Sequence, residues 1–183
     1  TAHDAALTEQ ALRRALAAEP GNVLLVTELC DALRAAGSPS RPLVEALLSL
    51  AGLVDPIEPL REAATHASEA LRDAQLTRDV TERLLAESLA RFPGAAATSD
   101  AAPAEGALSA AGSAALWAFR TLIHLARTDE DAARVVALGQ RAASLPFAAS
   151  DRRAFRVAAA ESASTDVAIA IYAELFDRDP TDG

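Results

Sequence analysis

Three histidines, one cysteine and two arginine pairs are the side chains whose types and spacing could carry chemistry in this 183-residue sequence. His3, His66 and His124 could bind a metal or move a proton, but no Cys or paired acid stands near any of them at ligand spacing. Cys30 lies in TELCDALRAAG with no basic residue adjoining it to lower its pKa, so it reads as a small buried packing residue and not as a nucleophile. The serines form no GxSxG elbow, and no glycine-rich phosphate loop precedes a lysine, because all 17 basic residues are arginine. Arg13-Arg14 and Arg152-Arg153 could grip carboxylates through bidentate hydrogen bonds; on amphipathic helices they read first as solvated or Glu-paired side chains. Asp129-Glu130-Asp131, Ser150-Asp151 and Thr165-Asp166 read as helix-start residues, not as a calcium loop. The expectation is a protein without catalytic residues, metal or cofactor.

These side chains must be positioned by helices. About half of the residues are apolar, aromatics make up only 4%, and alanine, the strongest helix former, supplies about a quarter of the chain. Apolar residues recur at three- and four-residue spacing, and no stretch alternates as a strand does. The pattern predicts helices near 3–18, 22–36, 41–54, 57–75, 78–91, 107–127, 130–144, 150–162 and 165–177, an all-α chain. Pro20-Gly21-Asn22, Gly37-Ser38-Pro39-Ser40, Asp55-Pro56, Phe92-Pro93-Gly94 and Leu145-Pro146 punctuate it, and such short connections turn each helix back on its predecessor. The stretch 94–106, GAAATSDAAPAEG, has no bulky apolar residue and reads as a linker or loop between helical segments 1–93 and 107–183, which are expected to stack.

Charge narrows the partners. The net charge is −9, with arginines interspersed among acids, which argues against nucleic acid. No apolar run reaches bilayer-spanning length, so no membrane insertion is expected, and a cytoplasmic protein is. Abundant Ala and Arg without Lys is the coding habit of a GC-rich, bacterial genome.

The helices also repeat. Steps of four and three recur at Thr8, Leu12, Ala15, at Thr81, Leu85, Ser88 and at Ala168, Tyr172, Leu175, each followed five residues later by Pro. Looser copies fall at Pro42, Ala46, Ser49 and at Ala132, Val136, Gly139. Between them, Val26, Leu29, Leu33, Ala36 is matched by Leu116, Phe119, Ile123, Ala126 and by Arg152, Phe155, Ala159, Ser162. This pattern resembles the tetratricopeptide repeat family, a helix-turn-helix unit of about 34 residues. Arg120 and Pro42 depart from it by standing where small residues are expected.

The resemblance implies a right-handed α-solenoid of antiparallel helix pairs, about nine helices here, acting as a non-catalytic protein–protein interaction scaffold. Its concave groove would present Leu24, Thr27, Asp31 and Arg34 to a protein or peptide, since they share a side of the helix away from Val26, Leu29 and Leu33. A chaperone-type carboxylate clamp is not expected, for want of Lys and of Asn beyond Asn22. Trp117 with Phe119 and His124 forms the densest aromatic stretch and reads as core packing before binding hot spot. The ending from Ile171 to Gly183 suggests a segment cut from a longer array, whose uncapped end helices offer a route to self-association. The alternative is a regulatory or structural helical domain packing on a catalytic domain of the same parent chain.

Overall fold

A computed structural model describes residues 2–37, 40–92 and 108–178 of the chain. Among these residues there is no strand, and the helices run α1 Ala2–Ala18, α2 Val23–Ala35, α3 Arg41–Ala51, α4 Ile57–His66, α5 Ala74–Arg91, α6 Ala110–Thr128, α7 Ala132–Ala143, α8 Ala149–Ser162 and α9 Thr165–Arg178. None of the described helices is long and apolar enough to cross a membrane. The stretch 94–106 and the Asp-Pro-Thr-Asp-Gly ending lie outside the described residues.

The helix starts follow local hydrogen-bonding chemistry. Asn22 Oδ1 accepts from the backbone N–H groups of Leu24 and Leu25 at 3.1 and 3.3 Å, and Asp131 Oδ1 accepts from Arg134 N–H at 3.0 Å. Both satisfy donors that a helix N-terminus leaves unpaired. Ser150-Asp151 does not cap α8 as expected: the cap is Ala148, and Asp151 is engaged elsewhere.

The sequence misplaces one boundary. In place of a single helix over 57–75, α4 ends at His66, passes through a π-helical turn Ala67–Leu71 and stops at Arg72, whose φ of 52° is left-handed. The Asp73 N–H closes the turn on Ala67 O at 3.1 Å, while its carboxylate accepts from Leu76 N–H at 3.0 Å and starts α5 four residues early. No Gly or Pro marks this break; Asp73 as an N-cap is the signal that was there to find.

The chain divides into two compact units, Thr1–Leu84 and Leu85–Gly183, with the boundary inside α5. In the first, α3 packs against both α2 and α4, and α1 against α2. Its core is aliphatic: Val26, Leu29, Cys30 and Leu33 meet Leu43, Val44, Leu47 and Leu50, with Ile57, Leu60 and Ala63 from α4. No described side chain of α1 is buried.

In the second unit α7 packs against both α6 and α8, and α8 carries α9. Four phenylalanines tie this core together. Phe92 stacks on Phe147 at 5.6 Å between ring centroids, and Phe119, Phe147 and Phe155 form a mutual triangle at 6.0 to 6.3 Å, spacings that suit offset and edge-on ring packing. Gly139 of α7 sits where an added Cβ would lie 2.7 Å from Phe155 O and 2.9 Å from Ala159 Cβ.

One repeat row is buried as its spacing predicts: Leu29 and Leu33, Phe119 and Ile123, Phe155 and Ala159 all turn inward. The other holds fully on α5, at Thr81, Leu85 and Ser88. On α3, α7 and α9 it holds in part: Ala46 and Gly139 are buried and Leu175 packs on the core, but at one position of each copy burial moves to the neighbouring residue, Leu50 for exposed Ser49, Val135 for half-buried Val136 and Ile171 for exposed Tyr172.

Two outcomes follow for stability. Gly139→Ala must force α7 from the α8 backbone, and is expected to lower the unfolding free energy by about 1–3 kcal/mol in urea titrations. Thr81 is 0% exposed and its hydroxyl has no hydrogen-bond partner. Thr81→Val, which keeps the shape and removes the unpaired group, is expected to raise stability by about 1 kcal/mol in the same assay.

Candidate partner-binding faces

The four residues expected to form a groove on α2 have different fates. Leu24 is 66% exposed, one of the most exposed large apolar side chains described. Thr27 is half-buried, and its hydroxyl donates to Val23 O at 2.9 Å within its own helix. Asp31 and Arg34 are brought together, with Arg34 Nη1 donating to Asp31 Oδ1 at 2.6 Å.

Arg34 has a second, larger engagement. Its Nε and Nη2 donate to the two carboxylate oxygens of Glu62 on α4, at 2.6 and 2.5 Å, in a fork-to-fork pair. Hydrogen bonding to Glu62 holds the Arg34 guanidinium well above its ordinary pKa, ahead of the opposing effect of partial burial. Arg34 therefore stays charged and clasps α2 to α4 through Glu62. Sequence reasoning named Arg34 but missed Glu62, 28 positions away, which no local spacing pairs with it.

The clasp borders an open depression of about 560 Å³ that lies mostly on α4 and its π-helical turn, lined by Arg34, Glu58, Arg61, Glu62, Thr65 and His66 among others. Leu24, Thr27 and Asp31 are not part of its lining. His66 braces one end: its Nε2 accepts the Ser40 N–H at 3.2 Å, which ties the start of α3 to the end of α4. Acidic side chains outnumber basic ones around this depression, Glu69 included.

The second unit has a related arrangement on α6 and α8. Arg120 Nη2 donates to Asp151 Oδ1 at 2.6 Å, and Arg127 Nη2 donates to Glu161 Oε2 at 2.8 Å. Between these two bridges lies a smaller depression of about 200 Å³ with Ile123, His124, Ala154, Phe155 and Ala158 in its lining. Trp117, Phe119 and His124 are not gathered into one site: Phe119 is fully buried, Trp117 half-buried and His124 exposed at the depression. Arg13 is paired with Glu9 at 2.9 Å along its own helix, as the solvated reading expects.

Among the described residues no three His, Cys, Asp or Glu side chains stand together as a metal-binding group. Both depressions carry charge pairs and hydrogen bonds beside modest apolar area. Cys30 lies behind the Arg34 clasp, 0% exposed. Burial pushes its thiol above the ordinary value, opposed in part by the Arg34 charge.

Because the raised pKa belongs to the folded state, the stabilisation that Cys30 contributes is complete below about pH 9 and is lost as pH rises beyond it. Urea unfolding between neutral pH and about pH 10 should show a decline that Cys30→Ala makes shallower; equal slopes would place the titrating group elsewhere.

Comparison with protein-family models, curated proteins and solved structures gives no match to the chain.

Proposed function

We propose that the chain is a non-catalytic protein–protein interaction scaffold, a tetratricopeptide-like segment of right-handed stacked helix pairs that presents one face of alternate helices to a protein or peptide. The observation that carries this reading is the recurrence of one arrangement in each unit. Helices two apart in the chain, α2 with α4 and α6 with α8, are bridged by arginine–carboxylate pairs beside an open depression, while the helix between them packs against both. Helices joined laterally by side chains, and not by their own close packing, leave a furrow that a partner chain can enter.

In the first unit the contacting set is Leu24, Thr27, Asp31 and Arg34, extended by Glu58 and Glu62. Leu24 supplies exposed apolar area of the kind an interface buries. A second reading, a helical domain docked on a catalytic domain of the same parent chain, is favoured by one observation. α9 leaves Val167, Ile169 and Tyr172 exposed, at 40, 62 and 38%.

Leu24→Glu is the cleaner probe of the scaffold reading, because Arg34 substitutions also break the clasp to α4. The purified chain is expected to capture a specific partner from its source lysate, and Leu24→Glu to abolish capture with an unchanged far-UV circular dichroism spectrum. A partner held equally well by Leu24→Glu and Asp31→Arg would count against this face.

A further inference from the structure

The two kinds of arginine bridge differ in how much of the guanidinium they use. Arg34 gives three nitrogens to two carboxylates. Arg120 and Arg127 each engage a single nitrogen, Nη2, on a single carboxylate oxygen among the described residues. A guanidinium carries five N–H donors in a fixed fork, so among the described residues each of these two retains four. Their side chains are also open, at 61 and 45% exposure.

Arg120 and Arg127 stand seven residues apart on α6, about 10 Å along its axis. Between them the depression is floored by Ile123 and Phe155 and walled by Ala154 and Ala158, with His124 at its edge. Its volume of about 200 Å³ suits one aliphatic side chain. Apolar space flanked by two partly used guanidinium forks has a definite complement: an apolar side chain between two carboxylates.

We propose that the depression between Arg120 and Arg127 receives a short acidic segment of a protein partner, with an apolar side chain on the Ile123–Phe155 floor and a carboxylate on each arginine. In an extended segment, side chains at positions one, three and five share a face and span about 13 Å. The long arginine stems cover the difference from their axial spacing. The recognised pattern is therefore acid-x-apolar-x-acid. This deepens the scaffold reading and rests on it.

The chain's net charge of −9 opposes an acidic partner at long range, but charges more than about 8 Å away are largely screened at physiological salt. Contacts to the forks lie inside that distance, as do Asp151 and Glu161, which leave each bridge locally neutral; what the forks offer a ligand is their remaining donors, and charge-assisted bonds of this kind are roughly twice as strong as neutral ones. Asp151 and Glu161 hold the arginines in place through one nitrogen each and leave the other donors to the ligand.

The test is calorimetric titration of the full chain with a peptide containing Glu-Ser-Leu-Ser-Glu, blocked at both termini so that only side-chain carboxylates are present. Saturable binding is expected, weakened about tenfold or more by Gln in place of both Glu residues and by either Arg120→Gln or Arg127→Gln. Ala154 is exposed, so Ala154→Glu leaves the core intact and places a competing carboxylate between the arginines; it is expected to abolish binding. No binding up to about 1 mM, equal binding of the Gln peptide, preference for a Lys peptide, or full binding by Ala154→Glu would each overturn the proposal. If the peptide fails while Leu24→Glu still costs partner capture, acidic recognition falls and the scaffold reading stands. If the peptide binds as described while capture ignores Leu24, the α6–α8 site is supported and the α2 face is the part that falls.

Discussion

A helix whose buried face is made of small residues is stabilised by burial only if its neighbour comes very close. That constraint governs the second unit, where Gly139 admits the backbone of α8 and the methyl of Ala159, and Ala142, Ala143 and Ala160 are the other small buried residues of the two helices. Dispersion and water exclusion fall off steeply with separation, so a gap of one methyl thickness would forfeit much of what such short side chains contribute. Once α7 and α8 are held this tightly, the larger side chains must gather outside their seam. The phenylalanine triangle of Phe119, Phe147 and Phe155 does so.

Lateral order between alternate helices comes from a different source. Arginine–carboxylate pairs at partly exposed positions are individually weak, about 0–1 kcal/mol, because water screens them and long side chains lose freedom. Their value is geometric. Arg34 meets both oxygens of Glu62 while also holding Asp31, so the fork fixes the direction between α2 and α4 as well as their distance. Arg120 and Arg127 fix less and leave more donors for other work.

Helix existence was legible in the sequence because periodicity, Pro, Gly and capping residues all act over a few positions. Each predicted helix has an observed counterpart, including the two-residue link between α8 and α9. The break at Arg72-Asp73 carries no Gly or Pro, because a π-helical turn and a left-handed arginine leave no mark in composition, and only the capping Asp73 signals it. The displacement of one buried position in each of the rows on α3, α7 and α9 was hidden for another reason: which side chain of a row meets the core is set by the neighbour's shape, and alanine-rich faces permit several fits. Arg34 was named from its place on α2, but its engagement with Glu62 depends on how α3 folds back between them. His124 follows aromatics in the sequence but stands beside Arg120 and Arg127, whose partners lie 31 and 34 residues away.

The phenylalanine core has an optical consequence. No Phe, Tyr or Trp precedes Phe92, so the aliphatic unit built from Val26, Leu43 and Leu60 contains no chromophore of its own. Trp117 and Tyr172 both belong to the unit that begins at Leu85. Intrinsic fluorescence and near-ultraviolet dichroism therefore arise from side chains of the second unit alone, and the half containing Leu24 and the Arg34 clasp has to be followed by a probe placed within it.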